Sequence, residues 1–116
     1  MKNSFEFIGN LTKEVELKIA GETSISETSI AVSRDYKNKQ TGEYDTDFFR
    51  IKAFGKTAEF MANYLGKGRQ VFVEGSIRNA NYEKDGKTVF NNEYVVNNIN
   101  PLGKKPEEPA KQKENF

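Results

Sequence analysis

The sequence predicts an all-β domain: a five-stranded, partly open Greek-key barrel with one short helix between its third and fourth strands. Three observations carry that prediction. Five segments show the two-residue apolar alternation, or the β-branched and aromatic content, of strands. One stretch, Thr57 to Leu65, switches to helical spacing. The chain has 116 residues, enough for one genuine core and too few for two.

The elements follow in order. SFEFIGNL, Ser4 to Leu11, is the first strand; Gly9 within it signals a bend or a close backbone approach, and VELKI at 15–19 reads as its continuation. SISETSIAVSR, 24–34, is the second strand, with clean alternation only in its second half. The polar stretch DYKNKQTGEYDT, 35–46, reads as a loop longer than the usual hairpin connection, and such loops often carry function. DFFRIKAF, Asp47 to Phe54, is the third strand, ended by Gly55. Ala58, Met61, Ala62 and Leu65 mark the helix, with Gly66 as its stop signal. QVFVEGSIRN, 70–79, is the fourth strand, and VFNNEYVVNNI, 89–99, returns as the fifth after an Asp85-Gly86 turn. Strands and helix in this order suit the OB-fold; another small barrel or sandwich is the alternative. The domain spans 1–102, and the Lys-, Glu- and Pro-rich residues 103–116 read as a disordered tail.

Composition narrows the function. There is no cysteine, so disulfides and thiolate metal sites are excluded, and no histidine, the usual general base near neutral pH. The expectation is a non-enzyme without cofactor or metal. No apolar run approaches a membrane span, and the N-terminus carries no secretory pattern, so the cytoplasm is expected and a membrane partner is not. Lys and Arg total 18 against 17 Asp and Glu, so any nucleic-acid partner must be met by a local patch rather than a global field.

Such a patch is visible on the third strand. Phe49, Ile51 and Ala53 point one way as core, while Phe48, Arg50, Lys52 and Phe54 point the other. Packing that second face inside the chain, or at the centre of a protein interface, would bury unpaired charge. A single-stranded nucleic acid suits both residue types, since bases stack on rings and cations take phosphates. Rings sit beside cations elsewhere too. Tyr36 lies near Arg34, Lys37 and Lys39; Tyr82 and Phe90 flank the Asp85-Gly86 turn with Lys84 and Lys87; Phe72 and Arg78 share a face of the fourth strand, with Glu74 between them. The bland alternative for Tyr36, Tyr82 and Phe90 is that they clamp their own loops.

The motifs FIGNLTKEVEL, TGEYDTDFFRIKAFGKTAEFMANYLGKGRQVFVEG and EYVVNNI make the chain, over about residues 4 to 100, resemble the bacterial and phage-encoded single-stranded DNA-binding proteins. The ordered set FGK-x-AE, YL-x-KG and V-x-VEG carries the specificity of the match. The resemblance implies an OB-fold, a homotetramer, and sequence-independent binding of single-stranded DNA in replication, recombination or repair. The matching stacking positions are Tyr36, Phe48, Phe54, Phe72, Tyr82 and Phe90; the matching phosphate contacts are Lys39, Arg50, Lys56, Lys67 and Arg78. Arg34 and Lys52 join the phosphate set from the residue pattern alone.

The chain also departs from that family. It has no Trp, so its stacking surfaces are smaller. NAN follows Arg78 where a further cation is usual, Ser4 stands where a lysine is common, and Val15 replaces a frequent proline. The family's acidic, partner-recruiting ending is absent: residues 104–116 hold four Lys and three Glu, a net of 4 − 3 = +1, and close on Phe116. Such a tail suits a phage-encoded protein in an infected host cell, recruiting phage replication or recombination proteins or none. Two other classes compete. One is a protein-interaction OB-fold in a replication complex. The other is a metal-dependent enzyme built on Glu43, Asp45 and Asp47, whose spacing of two puts them on one face of an extended segment.

Overall fold

In chain order the elements are β1 (Phe5–Leu11), β2 (Glu16–Ala20), β3 (Thr23–Lys37), β4 (Tyr44–Phe54), α1 (Gly55–Tyr64), β5 (Gln70–Asn79), β6 (Tyr82–Lys84), β7 (Lys87–Val89) and β8 (Asn92–Pro101). They come from a computed structural model that describes residues 1–103; the expected tail lies, from residue 104 on, outside the described residues. Strands β1, β5, β8, β4 and β3 pair in that order, and β3 returns to pair with β1, closing a five-stranded barrel. All of these pairings are antiparallel except β4–β8, which is parallel through Ile51↔Tyr94 and Lys52↔Val95.

Closure depends on Gly9. A Cβ there would stand 2.1 Å from the carbonyl oxygen of Ala31, so the expected close approach is the crossing of β1 with β3. Only Asn10↔Ala31 and Leu11↔Ile30 pair across this seam. VELKI does not continue β1. After Leu11 the chain is held against β3, with Thr12 N–H donating to Ser29 O at 2.9 Å and Thr28 Oγ1 to Lys13 O at 2.9 Å. It then turns back as β2, an added strand on the edge of β3.

The core holds Leu11, Ile30, Ile51, Met61, Val71 and Val73, each fully buried and each stabilising by about 1.5–3 kcal/mol. At one end, rings fill the space: Phe7 stacks on Phe49 at 4.4 Å between centroids, and Tyr94 meets Phe5 and Phe49 edge-on at 5.5 and 5.4 Å. The helix covers the first half of β3, where the sequence shows no clean apolar alternation yet burial alternates through small polar residues. Ser24, Ser26 and Thr28 are buried there because small side chains admit α1: Ser24 Oγ donates to Glu59 Oε2 at 2.8 Å, and Ser26 Oγ lies 3.7 Å from Met61 Sδ.

Boundaries move in three places. The helix begins at Gly55, whose φ of +66° swings the chain off β4. It ends when Leu65 leaves in an extended conformation with its N–H on Met61 O at 3.0 Å, so Gly66 is not the stop. The twelve-residue loop shrinks, because β3 and β4 pair as far as Lys37↔Tyr44 after a register shift beyond Ser33. The last strand starts later than expected, since Lys87–Val89 folds back on Tyr82–Lys84 as a two-stranded hairpin. The Asp85-Gly86 turn is as expected, with both residues at positive φ, 52° and 77°.

Gly9→Ala should therefore destabilise the fold by about 1–3 kcal/mol or more, because the obstacle is backbone rather than a movable side chain. Urea unfolding of the variant checks this, and an unchanged midpoint would contradict the role assigned to the seam.

Candidate nucleic-acid interface

Strand alternation on β4 places Tyr44, Thr46, Phe48, Arg50, Lys52 and Phe54 on the outer face of the barrel. Their cross-strand neighbours on β3 are Ala31 beside Phe48, Ser29 beside Arg50, Glu27 beside Lys52 and Ile25 beside Phe54. Phe48 is 66% exposed and Arg50 80%. These two stand out from the surface as the sequence anticipates.

Lys52 and Phe54 behave differently. The parallel pairing of β4 with β8 brings Glu93 to Lys52, and the β5–β8 ladder sets Arg78 opposite Glu93. Lys52 Nζ donates to Glu93 Oε2 at 2.9 Å and lies 3.6 Å from Glu27 Oε2; Arg78 Nε donates to Glu93 Oε1 at 2.7 Å. The Arg78 guanidinium carbon sits 5.3 Å from the Phe54 ring centroid, and Lys52 Nζ 5.9 Å, so Phe54 is half-buried under cations. A groove of about 220 Å³ runs beside them, lined by Glu27, Arg50, Lys52, Asn91 and Glu93 among others. Hydrogen bonds from Lys52 and then Arg78 hold the Glu93 carboxyl below its ordinary value of 4.5, and Glu93 raises the Lys52 ammonium.

The β3–β4 hairpin carries the next group. Tyr36 is 66% exposed near its tip, and Lys37 Nζ lies 5.8 Å from the ring of exposed Tyr44. Tyr44 is not among the sequence-predicted stacking residues, although the Phe48–Phe54 alternation extended four residues upstream reaches it. Arg34 grips Asp47 with Nε and a terminal nitrogen at 3.0 and 2.9 Å, and lies 3.9 Å from Asp45. This pairing raises the guanidinium and lowers the Asp47 carboxyl. Asp45 also accepts from Asn38 Nδ2 at 3.2 Å. Two of the three carboxylates that suggested a metal site thus face Arg34.

Tyr82 and Phe90 are exposed on the β6–β7 hairpin, Phe90 the more so at 79%. Phe72 is set apart: it pairs with exposed Ile8 and with Asn100, and is six residues along β5 from Arg78, about 20 Å. Lys39, Lys56 and Lys67 are exposed, on the β3–β4 turn, the start of α1 and the α1–β5 connection respectively, and none has an ion pair among the described residues.

The Glu93 pairing sets a pH dependence with a definite sign. A carboxyl lowered in the folded state contributes stability above its ordinary value, and that contribution is lost as pH falls through the folded one. Unfolding of wild type and Glu93→Gln should differ by about 1 kcal/mol at neutral pH, and the gap should close as pH drops below the ordinary glutamate range. A gap that stays constant down to pH 3 would mean that the interaction is not ionic.

Comparison with known proteins fits this geometry. A single-stranded DNA-binding protein of Staphylococcus epidermidis is 34% identical over 113 residues, 95% of this chain and 86% of that protein. Single-stranded DNA-binding protein 2 of Staphylococcus aureus is 38% identical over 101 residues, 85% of this chain and 71% of that one. Among solved structures, a Plasmodium falciparum SSB complex with ssDNA superimposes with a TM-score of 0.76 at 23% identity, covering 89% of this chain and 96% of that one, which supports the OB-fold. The model of the single-strand binding protein family matches residues 2–102, and with relatives this similar over most of their length the chain belongs to that family.

Proposed function

We propose that this protein binds single-stranded DNA without sequence preference and without catalysis, protecting it during replication, recombination or repair. The observation that carries the reading is the exposed Phe48–Arg50 pair on a rigid barrel strand, in a chain of the single-strand binding family. Bases stack on Phe48, Tyr36, Tyr82 and Phe90, with Phe54 offered under its covering cations and Tyr44 added from the geometry. Phosphates run along Arg50, Lys39, Lys56 and Lys67. Arg34 and Arg78 enter with a carboxylate already attached, while Lys52, held by both Glu93 and Glu27, is left out of the phosphate track.

Self-association into a homotetramer belongs to the same reading. Support comes from the outer face of β1 and β5, where Ile8 is 55% exposed beside Phe72. That neighbourhood suits Phe72 to a contact between copies as well as to a base. No helix among the described residues is long and apolar enough to cross a membrane, and the proposed setting is the bacterial cytoplasm or that of a phage-infected cell. The non-catalytic part of the proposal draws on the engagement of Asp45 and Asp47 with Arg34.

Fluorescence anisotropy with oligo-dT tests this reading. Affinity should fall with salt at a slope near 0.7 per phosphate neutralised, and Phe48→Ala should weaken binding by about 1–3 kcal/mol with little change in melting temperature. Absence of binding at low salt would refute the proposal. Light scattering on the same samples reports the assembly state, and a monomer at micromolar concentration would remove the tetramer.

A further inference from the structure

We infer that Glu93 limits the affinity of the groove for phosphate, by holding Lys52 as an internal ion pair so that this lysine adds nothing to nucleic-acid binding. The inference rests on the reading of the outer β4 face as a single-stranded DNA surface. Glu93 uses its two oxygens on two different cations, Oε2 on Lys52 Nζ at 2.9 Å and Oε1 on Arg78 Nε at 2.7 Å. Glu27 adds a second carboxylate 3.6 Å from Lys52 and 3.8 Å from Arg50. The groove lining sets Arg50 and Lys52 against Glu27 and Glu93, and Arg78, outside the lining but bound to Glu93, brings the cluster to three cations against two carboxylates, a net of 3 − 2 = +1.

Exposure shows which cation carries that remaining charge. The side chains of Lys52, Glu93 and Glu27 are only 25%, 22% and 29% exposed, whereas Arg50 is 80% exposed. A phosphate that reaches Arg50 displaces water and releases a counterion from the DNA. One that reaches Lys52 must instead displace a tethered carboxylate already at hydrogen-bond distance. That exchanges one anion for another, strands Glu93 with one partner fewer, and releases no net charge. Lys52 is thus spent on the fold. Arg78 is half spent, its Nε on Glu93 and its plane over Phe54.

The test is a salt titration of oligo-dT binding by full-length wild type, Glu93→Gln, Lys52→Gln and the double variant. Glutamine keeps the shape and one acceptor while removing the charge. Glu93→Gln should bind more tightly, by up to about eightfold at 0.05 M salt, the full value of one added contact at a slope of 0.7 per phosphate, with a slope steeper by about that amount. Lys52→Gln should leave the wild-type slope unchanged, and in the double variant the gain should fall to the lesser part that the freed Arg78 supplies. Glu27→Gln, which leaves Lys52 on Glu93, should gain less than twofold.

If wild type binds and Glu93→Gln binds no more tightly, Glu93 is not the limiter and the inference is overturned. A larger gain for Glu27→Gln than for Glu93→Gln overturns it too. Where Glu93→Gln fails to fold, Lys52→Gln decides alone: an unchanged slope supports the inference, and one shallower by about 0.7 refutes it. Failure of wild type and every variant to bind dT at 0.05 M salt would instead refute the DNA-binding reading itself.

Discussion

Everything that the outer face presents depends on a backbone crossing with no room for a side chain. At Gly9 the β1 chain passes so close to the Ala31 carbonyl that any Cβ would collide with it, and two residue pairs complete the ring there. Opening that seam would leave β1 and the middle of β3 with free edges in the barrel wall next to β4. The parallel β4–β8 pairing, only two residue pairs long, brings Glu93 to Lys52 and Phe54 to Arg78. The chemistry of the candidate interface is thus tied to a closure one strand away from it, since Ala31 at the seam is also the cross-strand neighbour of Phe48.

The second organising fact is that this surface neutralises itself. A chain with 18 basic and 17 acidic residues has no spare positive field, and the structure shows how the charges are spent. Arg34 is bound to Asp47, and Lys52 and Arg78 share Glu93. These pairs lock β3 to β4, and β4 to β5 and β8, across the strands that display the rings. They give the rings a fixed frame and leave long-range attraction to the exposed Arg50, Lys39, Lys56 and Lys67.

Much of the fold was legible because periodicity and turn chemistry agreed: β5 runs over the residues its alternation marked, and Asp85-Gly86 makes the turn its composition implies. What escaped was tertiary. Ser24 and Ser26 are buried because a helix needs small neighbours, which no alternation rule contains. The β3–β4 loop looked long because its polar residues hide a ladder held by Arg34 and Asp47. At the candidate site the rings were readable from spacing, but the state of the cations was not. Nothing local links Lys52 to Glu93, 41 residues away, and Phe72 shares a strand with Arg78 yet faces Ile8.

The β6–β7 hairpin has a thermodynamic consequence of its own. Two three-residue strands form a separate sheet with no core, and its two connections to the barrel are tied to each other by Ala80 N–H on Asn91 O and Asn91 N–H on Asn81 Oδ1, each at 2.9 Å. Ribbons this small are marginal alone and retain much of their conformational entropy. A base settling on Tyr82 or Phe90 must order the ribbon as well as stack, whereas Phe48 stands on a strand that closure has already immobilised. Equal ring contacts at the two places therefore give unequal free energies. On the proposed reading, a bound strand would be anchored enthalpically along β4, and at the hairpin its path would adapt at an entropic cost.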